Sequence, residues 1–242
     1  LTAAETASVA SDGALKVHVA GVEATLRTSG ALWLAQESML VVSDLHLEKG
    51  SAYAVGGQML PPYDTRETLN RLEQEVVALT PRSVVLLGDT LHDAGAESRI
   101  AASERVRLRA LSERLRLIWI CGNHDPGGAG DLGGETAAVV EAAGLILRHD
   151  PSPGPVRGEV AGHLHPCARI HGPAGSVRRR CFASDGQRLI LPAFGAYAGG
   201  LNLLDAAFTP LFETRPVGFA LGRRVTPLAR DRLKPDRATP RR

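Results

Sequence analysis

Five short clusters of histidine, aspartate and asparagine punctuate this chain of 242 residues. In order they are Ser43-Asp44-Leu45-His46, Gly88-Asp89-Thr90-Leu91-His92-Asp93, Gly122-Asn123-His124-Asp125, Arg148-His149-Asp150 and Gly162-His163-Leu164-His165. Imidazole mixed with carboxylate, and free of thiolate, is a donor set for divalent transition metals. Two such cations side by side activate a water and hold both oxygens of an in-line phosphoryl displacement. Neutral imidazoles with few carboxylates also leave the site net positive, as an anionic phosphate requires. The pattern implies a two-metal hydrolase.

Each cluster follows a strand-like run: Met39 to Val42, Val84 to Leu87, Leu117 to Ile120, Leu145 to Leu147, and Val156 to Ala161. Ligands of open α/β sheets bind beyond the carboxyl ends of the strands, so clusters far apart in sequence can share one site. Leu15–Val19 and Val22–Leu26 flank Ala20-Gly21 as a hairpin, and Ala31–Leu34 reads as a third strand. Leu69, Leu72, Val76 and Leu79 have helical spacing within 63–79. A charged helix over 97–115 and another over 134–143 complete an alternating pattern that favours parallel strands. Beyond Val156 only short strands are expected, at 168–170, 177–182 and 188–191. The fold class expected is α/β: two mixed β-sheets packed as a central sandwich flanked by helices.

The bulk properties narrow the setting. No apolar run approaches the ~18 residues of a membrane span. Residues 1–13 lack the basic start and apolar core of a signal peptide. The three cysteines, Cys121, Cys167 and Cys181, have no CxxC spacing, which suits reduced thiols and a cytoplasmic location. The net charge is +2. From Gly222 onward eight basic residues face only Asp231 and Asp236, a surplus of six that leaves −4 for the rest. The expected organisation is a disordered start over 1–13, one domain over 14–221, and a basic, disordered tail over 222–242. That tail is either a solvated end or a contact for a polyanion such as nucleic acid.

The ordered set of motifs is similar to that of the calcineurin-like metallophosphoesterases: DxH, GDxxD, GNHD/E, H and GHxH. Ser43 to Gly50, Gly162 to Pro166 and Leu191-Pro192-Ala193-Phe194-Gly195 further resemble the PdeM family, the DNA-ligase-associated phosphoesterases. The likeness spans about residues 40–202. It implies one metal held by Asp44, His46, Asp89 and His165, a second held by Asp89, Asn123, His149 and His163, and Asp89 as the bridge. It also implies that His124 faces the substrate and assists the leaving oxygen, with Asp125 orienting its ring. One position departs from the pattern. His92 stands where GDxxD has its second Asp, and reads either as a residue supporting the site or as an ordinary loop histidine.

The implied activity is a phosphodiesterase or endonuclease acting on DNA in repair, in association with a DNA ligase and a helicase. The alternatives are a phosphoesterase of nucleotides, cyclic nucleotides or pyrophosphates, and a non-catalytic scaffold. Oxygen-plus-imidazole coordination favours two Mn²⁺ ions, with Zn²⁺ or Fe as alternatives. Lys49 reads as a phosphate contact or a surface lysine. Arg178-Arg179-Arg180 reads as a polyanion groove or a charged sheet edge. Phe194 and Tyr197 sit in a glycine-rich loop that suits base stacking.

Overall fold

The computed structural model describes residues 8–58, 60–128, 130–172 and 175–236. Its first sheet runs in chain order: β1 (Ser8–Val9), β2 (Leu15–Val19), β3 (Val22–Leu26), β4 (Leu32–Leu34), β5 (Met39–Val42), β6 (Ser83–Leu87), β7 (Arg116–Ile120) and β8 (Glu135–Ala137). β1 to β5 form an antiparallel meander, while β5 to β8 are parallel. Ala20 and Gly21 both have positive φ, the geometry of a two-residue turn whose twist matches its strands. Four helices fill the crossovers: α1 (Lys49–Val55), α2 (Asp64–Leu79), α3 (Ala96–Arg99) and α4 (Ala102–Arg114).

The second sheet contains β9 (Val140–Ala142), β10 (Leu145–Arg148), β11 (Glu159–Ala161), β12 (Cys167–Gly172), β13 (Gly175–Ser184), β14 (Arg188–Ile190), β15 (Val217–Ala220), β16 (Thr226–Pro227) and β17 (Leu233–Lys234). Their order is β16-β15-β13-β14-β11-β10-β9, with β12 and β17 attached through β13. β10, β11 and β14 are parallel; the other pairs are antiparallel. Apolar side chains of both sheets, including Leu15, Val41, Ile118, Leu147, Val160, Phe182 and Phe219, share one buried core. On the outer face of the first sheet, Leu69, Leu72 and Val76 of α2 and Leu108 and Leu111 of α4 pack over Leu40, Leu86 and Trp119. This is the sandwich of two mixed sheets flanked by helices that the sequence implied.

Four details differ from the sequence reading. The helix expected over 134–143 is absent; β8 and β9 take its place. Its alanines favour a helix, but pairing with β7 and β10 wins, and positive φ at Gly133, Gly134 and Ala143 breaks the helical path. The helix expected over 97–115 is interrupted where Ile100 turns extended and buries itself. Residues 8–13, expected to be disordered, include β1 paired with β2. Residues 222–236, expected in a disordered tail, carry β16 against β15 and β17 against β12, with a hydrogen bond from Asn202 to the Lys234 carbonyl. Leu228 and Leu233 supply apolar packing that the surplus of charge obscured. The rest of the expected disordered ends, 1–7 and 237–242, lies outside the described residues.

A buried ion pair ties the second sheet to its loops. Arg188 and Glu159 are each 1 % exposed, with Nη2 and Oε1 2.9 Å apart. Arg188 also donates to the carbonyls of Gly154 and Ser152 at 2.9 and 2.8 Å and to that of Leu211. Arg188→Ala would strand a buried carboxylate, and breaking such a pair costs about 3–5 kcal/mol. Denaturant unfolding of the variant is expected to show a loss in that range. A loss below about 1 kcal/mol would mean that Glu159 is not held charged.

Candidate metal centre

The parallel strands β5, β6 and β7 of one sheet and β10, β11 and β14 of the other deliver their carboxyl ends to one edge of the sandwich. Asp44 and His46 follow β5, Asp89 follows β6, Asn123 and His124 follow β7, His149 follows β10, and His163 and His165 follow β11. Asp44, His46, Asp89, His163 and His165 all have positive φ, between 44° and 67°. Such left-handed backbone costs non-glycine residues of order 1–3 kcal/mol each and persists where surrounding structure enforces it. Five at one edge mark a place where side-chain aim outweighs local backbone preference. The motif glycines permit the close loop packing. A Cβ at Gly122 would overlap the Asp89 amide and carboxylate, and one at Gly162 would overlap Ser43 and Asp44.

Two groups of donor atoms result: Asp44, His46 and His165, and Asp89, His149 and His163. In the first, Asp44 Oδ1 lies 3.1 Å from His165 Nε2, and His46 Nε2 lies 3.3 Å from the same nitrogen. In the second, His149 Nε2 lies 3.4 Å from Asp89 Oδ1 and 3.3 Å from His163 Nδ1. His149 Nδ1 is 3.1 Å from the Leu87 carbonyl, a hydrogen bond that leaves Nε2 for the group. The groups adjoin, since His149 Nδ1 is also 3.7 Å from Asp44 Oδ1. Asn123 is exposed between Gly122, whose amide donates to Asp125, and His124, whose amide donates to Asp89.

Protonation follows from burial and neighbouring charge. Burial pushes the His46 imidazole down to about 4, the neutral form a metal ligand needs. Burial would raise the Asp89 carboxyl, but hydrogen bonds from His149 and from the His124 amide hold it well below the carboxylate range. Burial would lower His149, yet its bond to Asp89 and the charges of Asp44 and Asp89 lift it to about 9. The buried Asp89 carboxylate and the His149 imidazole thus hold each other in their charged forms. Facing ring nitrogens at 3.3 Å share a proton at best, whereas a cation would use both lone pairs. The donor set fits two divalent ions.

The surrounding residues sort differently from the sequence reading. Asp125 does not orient His124: one oxygen accepts from the amides of Thr90 and Leu91 at 2.8 and 3.0 Å, the other from Gly122 at 3.1 Å. It binds the loop after β6 to the loop after β7. His124 is 47 % exposed at its side chain, with Nε2 3.8 Å from Asp89 Oδ2. Its ring stacks on His92 with centroids 5.7 Å apart and meets His46 edge-on at 5.3 Å. His92 therefore belongs to the cluster and backs His124.

Lys49 lies 5.9 Å from the Tyr53 ring, and Tyr53 in turn neighbours His92. Phe194 is fully buried beneath the Arg71 guanidinium, so it is no base-stacking platform. At Arg178 and Arg179 β13 is paired with β12 on one side, and among the described residues no second strand pairs its other side, as a charged sheet edge requires. Arg180 is drawn inward to the Ala193 carbonyl at 2.7 Å. Ser43, which opens the first cluster and was given no role from sequence, donates to Asp44.

No family model matches the chain, and no curated protein matches it. Among solved structures, nuclease MPE of Pseudomonas putida aligns with a TM-score of 0.68 at 24% identity, over 89% of this chain and 100% of that one. The Aquifex aeolicus protein of unknown function AQ665 aligns over 52% of this chain and 78% of its own, with a TM-score of 0.36 and 17% identity. Yfce, a phosphoesterase from E. coli, covers 67% of this chain and 82% of its own, with a TM-score of 0.37 and 17% identity. The last two likenesses are too loose to carry weight. The first extends over the whole of its counterpart and includes both sheets. This chain has the calcineurin-like metallophosphoesterase fold.

Proposed function

We propose that the protein is a binuclear metal-dependent phosphodiesterase that cuts DNA, in the service of repair. The observation that carries this reading is the pair of adjoining His/Asp groups, with the exposed ring of His124 beside them. The shared fold with a protein named a nuclease supports DNA as the substrate. In this reading Asp44, His46, Asp89 and His165 hold one ion, and Asp89, Asn123, His149 and His163 the other. Mn²⁺ is the favoured metal, because the donors are oxygen and imidazole without thiolate. The ions, when bound, supply an activated water and neutralise the phosphate.

The chain does the rest. His124 presents its ring to the leaving oxygen and gives it a proton. His92 keeps that ring from rotating away, and Asp89 fixes its backbone through the amide bond at 2.9 Å. Asp125 clamps the two loops so that metal ligands and proton donor stay in register. Residues 14–221 would act as one catalytic domain, with 222–236 packed on it. Association with a DNA ligase and a helicase follows from the family resemblance and is testable by co-purification.

The deciding test is a substrate panel with and without Mn²⁺: plasmid, linear and single-stranded DNA, 2′,3′-cyclic nucleotides, and aryl mono- and diesters. Metal-dependent cleavage of DNA and of the aryl diester is expected. Turnover of monoesters or cyclic nucleotides with DNA left intact would replace the reading by a small-substrate phosphoesterase. No turnover of any of them would leave a scaffold.

A further inference from the structure

A second charged feature lies at the same end of the molecule as the metal centre. β15 runs antiparallel to β13, which runs antiparallel to β14, so β15 points the same way as β14 and β11. The turn after it, Gly222 to Arg224, therefore emerges at the edge where His163 and His165 sit. β13 overshoots that edge. Its residues 181–184 pair within the sheet, while 177–180 continue past the end of β14 as a ribbon with β12. Between the back of this ribbon and the 221–232 segment is a cleft of about 610 Å³, whose lining includes Ile170, Val177, Arg179, Arg223, Arg224 and Arg232.

The cleft is one-signed. Four arginines line it and no acidic residue does. Among the described residues, none of the four guanidinium groups has a hydrogen-bond or ion-pair partner. Elsewhere the protein commits its arginines to carboxylates or carbonyls, as Arg27, Arg99, Arg107, Arg116 and Arg188 do. Like-charged groups gathered without counter-ions repel one another, and an anion relieves that repulsion. Arginine forks match phosphate oxygens in pairs, and the apolar floor of Ile170 and Val177 weakens competition from water.

We infer that this cleft is a secondary binding site for the phosphodiester backbone of DNA, separate from the metal centre. The inference rests on the DNA reading above and deepens it. Three strand spacings of ~4.8 Å separate β11 from β15, so the Arg223-Arg224 turn lies about 14 Å across the edge from the strand that carries His163 and His165. That is about four base-pair rises of duplex DNA. A duplex held at the metals has phosphates at this reach, and a single nucleotide or an aryl diester does not. The cleft thereby selects a polymer over a small ester.

The test compares full-length protein with the triple variant Arg179→Ala, Arg223→Ala, Arg224→Ala and with the corresponding triple lysine variant. Binding of a labelled duplex of about 20 base pairs, long enough to span the ~14 Å reach, is followed by anisotropy from low to moderate salt. In the alanine variant, affinity at low salt is expected to fall at least about tenfold. The slope of log K against log salt should shrink by roughly 0.9 for each phosphate no longer neutralised, up to ~2.7. The lysine variant should keep most of the slope. Turnover of the aryl diester should match wild type in both, which also reports that the fold is intact. An unchanged slope in the alanine variant, with wild type still cleaving DNA, overturns the cleft and leaves the nuclease reading standing. If wild type turns over the aryl diester and binds no duplex, both fall together.

Discussion

Asp89→Ala is expected to deplete both metal positions at once and to lower turnover of every substrate by at least about 10³-fold. The carboxylate is buried in the second donor group. One oxygen lies 3.4 Å from His149 Nε2 and accepts the His124 amide at 2.9 Å, while the other faces His124 Nε2 at 3.8 Å. As the proposed bridge it offers an oxygen to each ion, so its loss removes a ligand from both and leaves their mutual repulsion uncompensated. Metal assistance is worth several kcal/mol of barrier, and about 4 kcal/mol corresponds to that fold-change. Elemental analysis after Mn²⁺ loading and desalting checks the first half, and aryl diester turnover the second. Asp93→Ala is the matched control: Asp93 pairs with Arg99 at 2.7 Å, outside the donor groups, and its loss should leave metal content at wild-type level. Retention of one tight equivalent with normal turnover in Asp89→Ala would show that Asp89 does not bridge.

His124→Ala is expected to separate substrates by their leaving groups. A DNA strand releases a sugar alkoxide, which needs a proton as the bond breaks. General acid help of that kind is typically worth about 10²–10⁴-fold. An aryl oxide leaves readily without a proton, so the same variant should lose far less on an aryl diester. Metal content should stay at wild type, because His124 is not in either donor group. The structure also specifies how the ring is held. Asp125 is committed to backbone amides, so stacking on His92 and the edge contact with His46 set the ring plane. His92→Ala should therefore weaken DNA cleavage in the same substrate-selective way, by less than His124→Ala, and His92→Phe should restore part of it. Equal losses on both substrates in His124→Ala would point to charge stabilisation instead of proton transfer. Loss of metal would place His124 among the ligands.

The order of residues along the chain was enough to say which of them meet. Each cluster sits just past an apolar run, and parallel strands in a layered sheet must bring their carboxyl ends to one edge. For that reason Asp44, His46, Asp89, His149, His163 and His165 could be gathered from four separate stretches without coordinates. The hairpin at Ala20-Gly21 and the spacing of Leu69, Leu72 and Val76 were equally legible, because local backbone geometry and helical periodicity act over a few residues. Groups with several equivalent local options had their partners chosen by the folded arrangement alone. Asp125 adjoins His124 in the chain, yet its carboxylate turns to amides of a loop that starts more than thirty residues earlier. Phe194 looked like an exposed aromatic because glycines surround it, but Arg71 from α2 closes over it. The alanine-rich stretch at 134–143 had the propensity of a helix and became two strands, since β7 and β10 each offered it an open edge. The basic run after Gly222 read as solvated because charge dominates its composition. Its fold depends on a few apolar residues finding β12 and β15, strands that begin more than forty residues apart. Those are long-range contacts, and no local pattern encodes them.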